Sequence, residues 1–335
     1  MLLNPAILAL LGVSAIVTLL VGAATAFGLH LLREWDIASG SELQLRLERR
    51  TYLIATLVAF SFVAELVSLL LFVYNAEAMH TQFVGAMCAT GVLNVNPWGW
   101  PTLFLKIAVF FTGAVWLALN HLDNQGHDYP LVRVKYGLLL ALFPLVLAAG
   151  AAQALFFLGL RPDVITSCCG ALFSPESAGV AAEVAGLAPA RAALALAASG
   201  ALVLGAGSWV LLRGSGGGPF GAAGLLAFVV AIAAVVSLVA LYVYEHPHHH
   251  CPFCVLKPGH DHVGYWLYVP LFAATALALG AGAVAPWRRV PSLAHAVPGE
   301  VRRRTRLAVI GYALFYAVAT YAILRSNLTM TDVWW

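Results

Sequence analysis

Along this chain long apolar stretches alternate with short polar ones, and the apolar stretches are about 20 residues or more, enough to cross roughly 30 Å of hydrocarbon as α-helix. Eight can be marked off, at 5–32, 51–74, 101–121, 136–160, 190–212, 219–243, 265–287 and 307–325. The pattern predicts an all-α integral membrane protein, a polytopic bundle of eight transmembrane helices forming a single membrane domain. Composition agrees. The 335 residues are 61% hydrophobic and 10% charged, with a mean hydropathy of +0.88, whereas a soluble domain carries about 25% charged residues. The first span does not read as a cleaved signal: it is long, lacks a basic leader and runs into Arg33 rather than a small-residue cleavage site.

Charge adds a direction. Net charge is +3, and the basic residues follow the alternation of connections. Thirteen fall on one side: Arg33, Arg46, Arg49, Arg50, Arg133, Lys135, Arg213, Arg288, Arg289, Arg302, Arg303, Arg304 and Arg306. Five fall on the other or its flanks: Lys106, Arg161, Arg191, Lys257 and Arg325. The positive-inside rule then predicts that both termini face away from the cytoplasm. Charge distributed by topology forms no patch for nucleic acid, and the bilayer is the partner it implies. In a bacterium this is an inner-membrane protein whose outer loops face the periplasm or exterior.

The same alternation sorts the chemistry. Cys88 lies between spans two and three, Cys168 and Cys169 between four and five, and Cys251 and Cys254 between six and seven. All five thiols therefore share the predicted outer face, where disulfides persist. The stretch E-H-P-H-H-H-C-P-F-C-V-L-K-P-G-H-D-H, 245–262, concentrates six of the eleven histidines beside two of the five cysteines. C-P-F-C places two thiols at i, i+3. Proline suits the first position of a helix, whose N-terminus would lower the Cys251 pKa, as in a redox motif. The same spacing is a two-ligand metal knuckle. Attachment of c-type haem is excluded, because C-x-x-C-H needs His where Val255 stands.

The density of imidazoles favours metal. The leading expectation is a site that binds, senses or delivers copper or zinc, with ligands from His248, His249, His250, Cys251, Cys254, His260 and His262, and a second locus at Cys168 and Cys169. The partner would be a periplasmic metalloprotein or thiol protein. A solvated His-rich loop and a structural disulfide from Cys88 to Cys168 or Cys169 are the plainer alternatives. Inside the spans ionisable groups are few, and such groups are costly there. Glu65 in the second span and Lys106 in the third are expected to form a buried ion pair. No continuous polar path crosses the spans, so transport ranks below binding or transfer.

Three local resemblances bear on function. Cys88, followed by G-V-L-N-V-N-P-W-G-W-P and the third span, with C-P-F-C nearer the C-terminus, resembles the order of cysteines in the vitamin K epoxide reductase family. A C-P-x-C outer loop is similar to that of the bacterial disulfide-forming quinone reductases. The whole pattern also resembles bacterial inner-membrane proteins carrying an H-C-P-F-C loop. The first two imply a quinone-linked thiol–disulfide oxidoreductase in which Cys251 attacks, Cys254 resolves and Cys88 or the vicinal pair shuttles electrons. Both of those families are four-helix bundles without this histidine cluster. T-S-C-C-G, in turn, is similar to the vicinal cysteine pair of small mercuric-ion transport proteins. A third class of function is a non-catalytic membrane subunit with structural cysteines.

Overall fold

In the computed structural model, which describes residues 3–166 and 180–330, the apolar stretches become helices. They are α1 (Pro5–Glu34), α2 (Glu42–Ala78), α3 (Ala89–Leu93), α4 (Gly99–Asp123), α5 (Val132–Leu158), α6 (Val180–Ala185), α7 (Pro189–Arg213), α8 (Gly217–Ala234), α9 (Ala240–Tyr244), α10 (Val263–Val284) and α11 (Ala296–Arg325). A π-helical turn, Val235–Val239, joins α8 to α9. Among the described residues eight helices are long and apolar enough to cross a membrane, counting α8 through α9 as one. The protein is a multi-pass membrane protein.

Helix ends follow local chemistry. Asn4 caps α1 by accepting the Ala6 N–H at 2.9 Å, and Ser41 accepts the Gln44 N–H at 3.3 Å at the start of α2. That helix begins nine residues before its apolar run. Its exposed Glu42–Arg46 pair, 3.8 Å apart, lies on the solvated side of this turn, while Gln44 and Leu47 are buried. The α7–α8 connection turns on Gly214 and Gly216, whose φ values of +66° and +95° lie in the region glycine enters without steric cost.

The chain divides into two compact units. The first comprises Met1–Asn75, Asn96–Arg161 and Ala283–Glu300, and the second Ala76–Val95, Pro162–Gly282 and Val301–Trp335. The core of the first unit joins Val17, Val21, Val58, Phe62, Val109, Trp116, Tyr136, Leu139 and Val146. Two buried ion pairs lie in this unit. Lys106 Nζ is 3.4 Å from Glu65 Oε2 and 2.8 Å from Ser68 Oγ. Lys135 Nζ is 2.6 Å from Asp123 Oδ2 and 3.1 Å from Asn120 Oδ1. The Asp123 carboxylate also accepts the Leu131 N–H at 2.7 Å, and Trp116 donates to the Lys135 carbonyl at 2.9 Å. Sequence reading assigned Lys135 to a charged connection; its ammonium is instead 1% exposed.

In the second unit small residues let helices approach closely. A Cβ on Gly224 would meet Ala278 Cβ at 2.7 Å and Tyr312 Oη at 2.8 Å. Through that gap Tyr312 donates to the Gly224 carbonyl at 3.0 Å. In α6, Val184 and Ala185 pack on Val236 of the π turn.

Removing one partner of a buried pair strands a charge, at a cost of about 3–5 kcal/mol. Asp123→Ala is therefore expected to lower the melting temperature of the detergent-solubilised protein markedly, while Glu42→Gln on the exposed pair leaves it unchanged. Equal melting temperatures for both variants would show that the Asp123–Lys135 pair does not hold the first unit together.

Candidate metal and thiol site

The connection after α2 folds inward. A 3-10 turn, His80–Gln82, leads to Cys88, which precedes α3. Cys88 and all five residues of α3 are buried. Gly85 takes φ +82°, and its missing side chain admits the Thr166 carbonyl. The Thr166 N–H donates to the Val84 carbonyl at 3.0 Å and its hydroxyl to the Gly91 carbonyl at 2.8 Å. Thr166 thus ties the connection after α5 to α3.

C-P-F-C does not start an α-helix. Residues 251–253 form a turn that opens into a 3-10 helix at Cys254–Leu256. Pro258, four residues beyond Cys254, begins a separate 3-10 turn, Pro258–His260. The first turn is fixed at its carbonyls: Tyr244 donates to the Cys251 carbonyl at 2.5 Å and Tyr268 to the Pro252 carbonyl at 2.6 Å. Gly264 at the head of α10 permits the same packing, since a Cβ there would lie 2.8 Å from Val255 Cγ2. With this backbone both thiols of C-P-F-C point inward, and Cys251 is 0% exposed.

The result is a cluster of three sulfurs. Cys88 Sγ lies 3.3 Å from Cys251 Sγ, and the sulfurs of Cys88, Cys251 and Cys254 all lie within 4.8 Å of one another. A separation of 3.3 Å is contact between thiols, far beyond the roughly 2.05 Å of a covalent disulfide. Thr90 Oγ1 is 3.3 Å from the Cys251 sulfur. Hydrogen bonding to Cys251 pushes the Cys254 thiol up to about 12. Burial adds to this, while a hydrogen bond to Cys88 and the nearby Lys257 ammonium act the other way.

The histidines do not join the sulfurs. Among the described residues the thiol trio is the one group of three side chains arranged to hold a metal ion. His250 Nδ1–H donates to the Val236 carbonyl of the π turn at 3.1 Å, and burial lowers its pKa. His262 Nδ1–H donates to the Leu256 carbonyl at 2.7 Å. His249 stacks on Tyr244 with ring centroids 4.0 Å apart, and His260 meets the same ring at 4.7 Å. His248 is exposed. Of the expected Cys/His ligands the structure brings Cys251 and Cys254 together, with Cys88 beside them, while His249, His250, His260 and His262 brace the loop. Cys168 and Cys169 lie outside the described residues. The sequence reading left Cys88 out of the metal ligands and named it only as an electron shuttle of the thiol–disulfide alternative, because only tertiary contact brings it to residue 251.

No protein-family model, curated protein or solved structure matches this chain.

A thiol with a raised pKa keeps its proton in the native state after the unfolded chain has lost it. Its stabilising effect is complete below the ordinary value of 9.0 and is lost as pH rises through about 12. The melting temperature of the reduced, metal-stripped protein should fall across that window, and Cys254→Ser should flatten the slope. An unchanged slope in the variant would assign the alkaline loss to other groups.

Proposed function

We propose that this protein binds a soft metal ion, copper or zinc, through Cys88, Cys251 and Cys254, and that it senses the ion or delivers it to another protein on the outer face of a bacterial inner membrane. One observation carries the reading: three buried sulfurs from connections 163 residues apart converge within 4.8 Å. Sulfur-only coordination suits soft d10 ions. Structural zinc is almost always four-coordinate, whereas three sulfurs without a nitrogen suit monovalent copper better. Binding would displace thiol protons and form a metal–thiolate unit, so affinity should rise with pH. Burial of Cys251 and Cys88 slows exchange with solvent and favours release through an encounter that opens the loop. The outward orientation rests on the distribution of basic residues.

A second reading has its own observation. The 3.3 Å contact between Cys88 and Cys251 needs little motion to become a disulfide. Two thiols would lose two protons and two electrons, and a quinone taking up both would leave as quinol, as the local resemblance to quinone-linked thiol oxidoreductases implies. Exchange with a protein substrate requires an accessible thiolate, and the buried Cys251 does not offer one.

Tag-free protein purified under mild reduction is expected to hold about one copper or zinc ion per chain by elemental analysis. That ion should be lost in Cys251→Ser/Cys254→Ser and in Cys88→Ser, and retained in His248→Ala/His249→Ala/His250→Ala. Full occupancy in the cysteine variants would end the metal reading. The absence of metal, together with a mixed disulfide trapped by Cys254→Ser, would establish the oxidoreductase.

A further inference from the structure

We propose that the Glu77–Lys257 ion pair is the positioning device of the thiol cluster, holding the peptide groups on both sides of Cys88 so that its sulfur meets Cys251. Glu77 sits in the last turn of α2, and its Oε2 accepts the N–H of Ala89, the residue after Cys88, at 2.8 Å. The Lys257 ammonium donates to the carbonyl of Met87, the residue before Cys88. The two side chains meet at 3.5 Å, and each is less than a third exposed. Lys257 is itself fixed to the second thiol-bearing element, its N–H donating to the Cys254 carbonyl at 3.1 Å. One ion pair therefore grips both flanks of Cys88 and connects them to the 3-10 turn that carries Cys254. His80 backs the carboxylate, with its Nδ1 3.9 Å from Glu77 Oε1.

The arrangement is more specific than stabilisation requires. An ordinary surface pair contributes about 0–1 kcal/mol and has no need to contact the backbone on both sides of one residue. Here the two charged groups carry three jobs: acceptor for Ala89, donor for Met87, and attraction to each other. Lys257 also places its positive charge near Cys254, where ionisation of the cluster on metal binding would bring negative charge. A misplacement of about 1 Å can cost a reaction roughly a hundredfold, so loosening this grip should register in the thiol chemistry itself. The positioning role holds whether the cluster serves metal or disulfide chemistry. It rests on the proposed metal site only for its second readout.

The test uses the full chain with Cys168, Cys169 and Cys254 changed to Ser, which leaves Cys88 and Cys251 as the one thiol pair. Diamide oxidises two thiols to a disulfide and takes up the two protons and two electrons, and peptide mass spectrometry after alkylation measures the rate. Lys257→Met is expected to slow formation of the Cys88–Cys251 disulfide about tenfold or more. Lys257→Arg should restore it, and Glu77→Gln should fall between, since an amide oxygen can still accept the Ala89 N–H. The same substitutions in the parent chain should weaken competition for copper(I) against a chelator in the same order. A rate in Lys257→Met equal to that of the background, whatever the melting temperature, overturns the proposal. So does a rate in Lys257→Arg as slow as in Lys257→Met. Should Lys257→Met fail to fold, Glu77→Gln decides by the same rate. A slowed disulfide in a chain that binds no metal would keep the positioning role and remove the metal reading.

Discussion

Hydrocarbon forces polar chemistry into one of two arrangements, and both are present in this protein. A charge inside a span must be paired where it lies, because an isolated ion is too costly there. Lys106 with Glu65 and Lys135 with Asp123 meet that condition in the first unit. Chemistry that must change state needs the looser backbone of a connection, where turns and 3-10 segments can aim side chains that a regular helix could not. Cys88, Cys251 and Cys254 of the second unit lie in such connections. Their connections are nonetheless folded until Cys88 and Cys251 are 0% exposed, so the thiol cluster is kept away from solvent without being placed in a span.

That burial shapes the chemistry. An exposed, low-pKa cysteine pair is suited to attack disulfides. Here the Cys254 thiol is pushed upward and the sulfurs face one another. Sulfurs at contact distance are the starting arrangement that both proposed uses require, a metal ion displacing thiol protons or a disulfide closing between Cys88 and Cys251. Either use depends on the backbone supports: the tyrosines that hold the carbonyls of Cys251 and Pro252, and the ion pair around Cys88.

The histidine-rich segment illustrates how composition can mislead. Six imidazoles beside two thiols look like a ligand set, but in the fold four of them take part in the loop's own architecture. His250 satisfies a carbonyl of the π turn, His262 one at the end of the 3-10 helix, and His249 and His260 pack on Tyr244. Backbone acceptors released by irregular structure need donors, and a histidine supplies one while leaving its other nitrogen available.

The eight spans, their helical class and the confinement of Cys88, Cys251 and Cys254 to connections were legible in the sequence. Each is a local property, since hydropathy summed over one window decides whether a segment is helical in a bilayer. The Glu65–Lys106 partnership was within reach for a related reason, because two isolated charges in adjacent spans have few other partners. The composition of the site was not legible. Cys88 meets Cys251 across 163 residues, Lys257 reaches back to Glu77 and Met87, and C-P-F-C becomes a buried turn instead of a helix start. These contacts depend on how connections pack over one another, on a left-handed Gly85 and on carbonyls that need donors. No short window of residue types contains that information, and tertiary structure alone decided that three sulfurs, not a mixture of sulfurs and imidazoles, form the cluster.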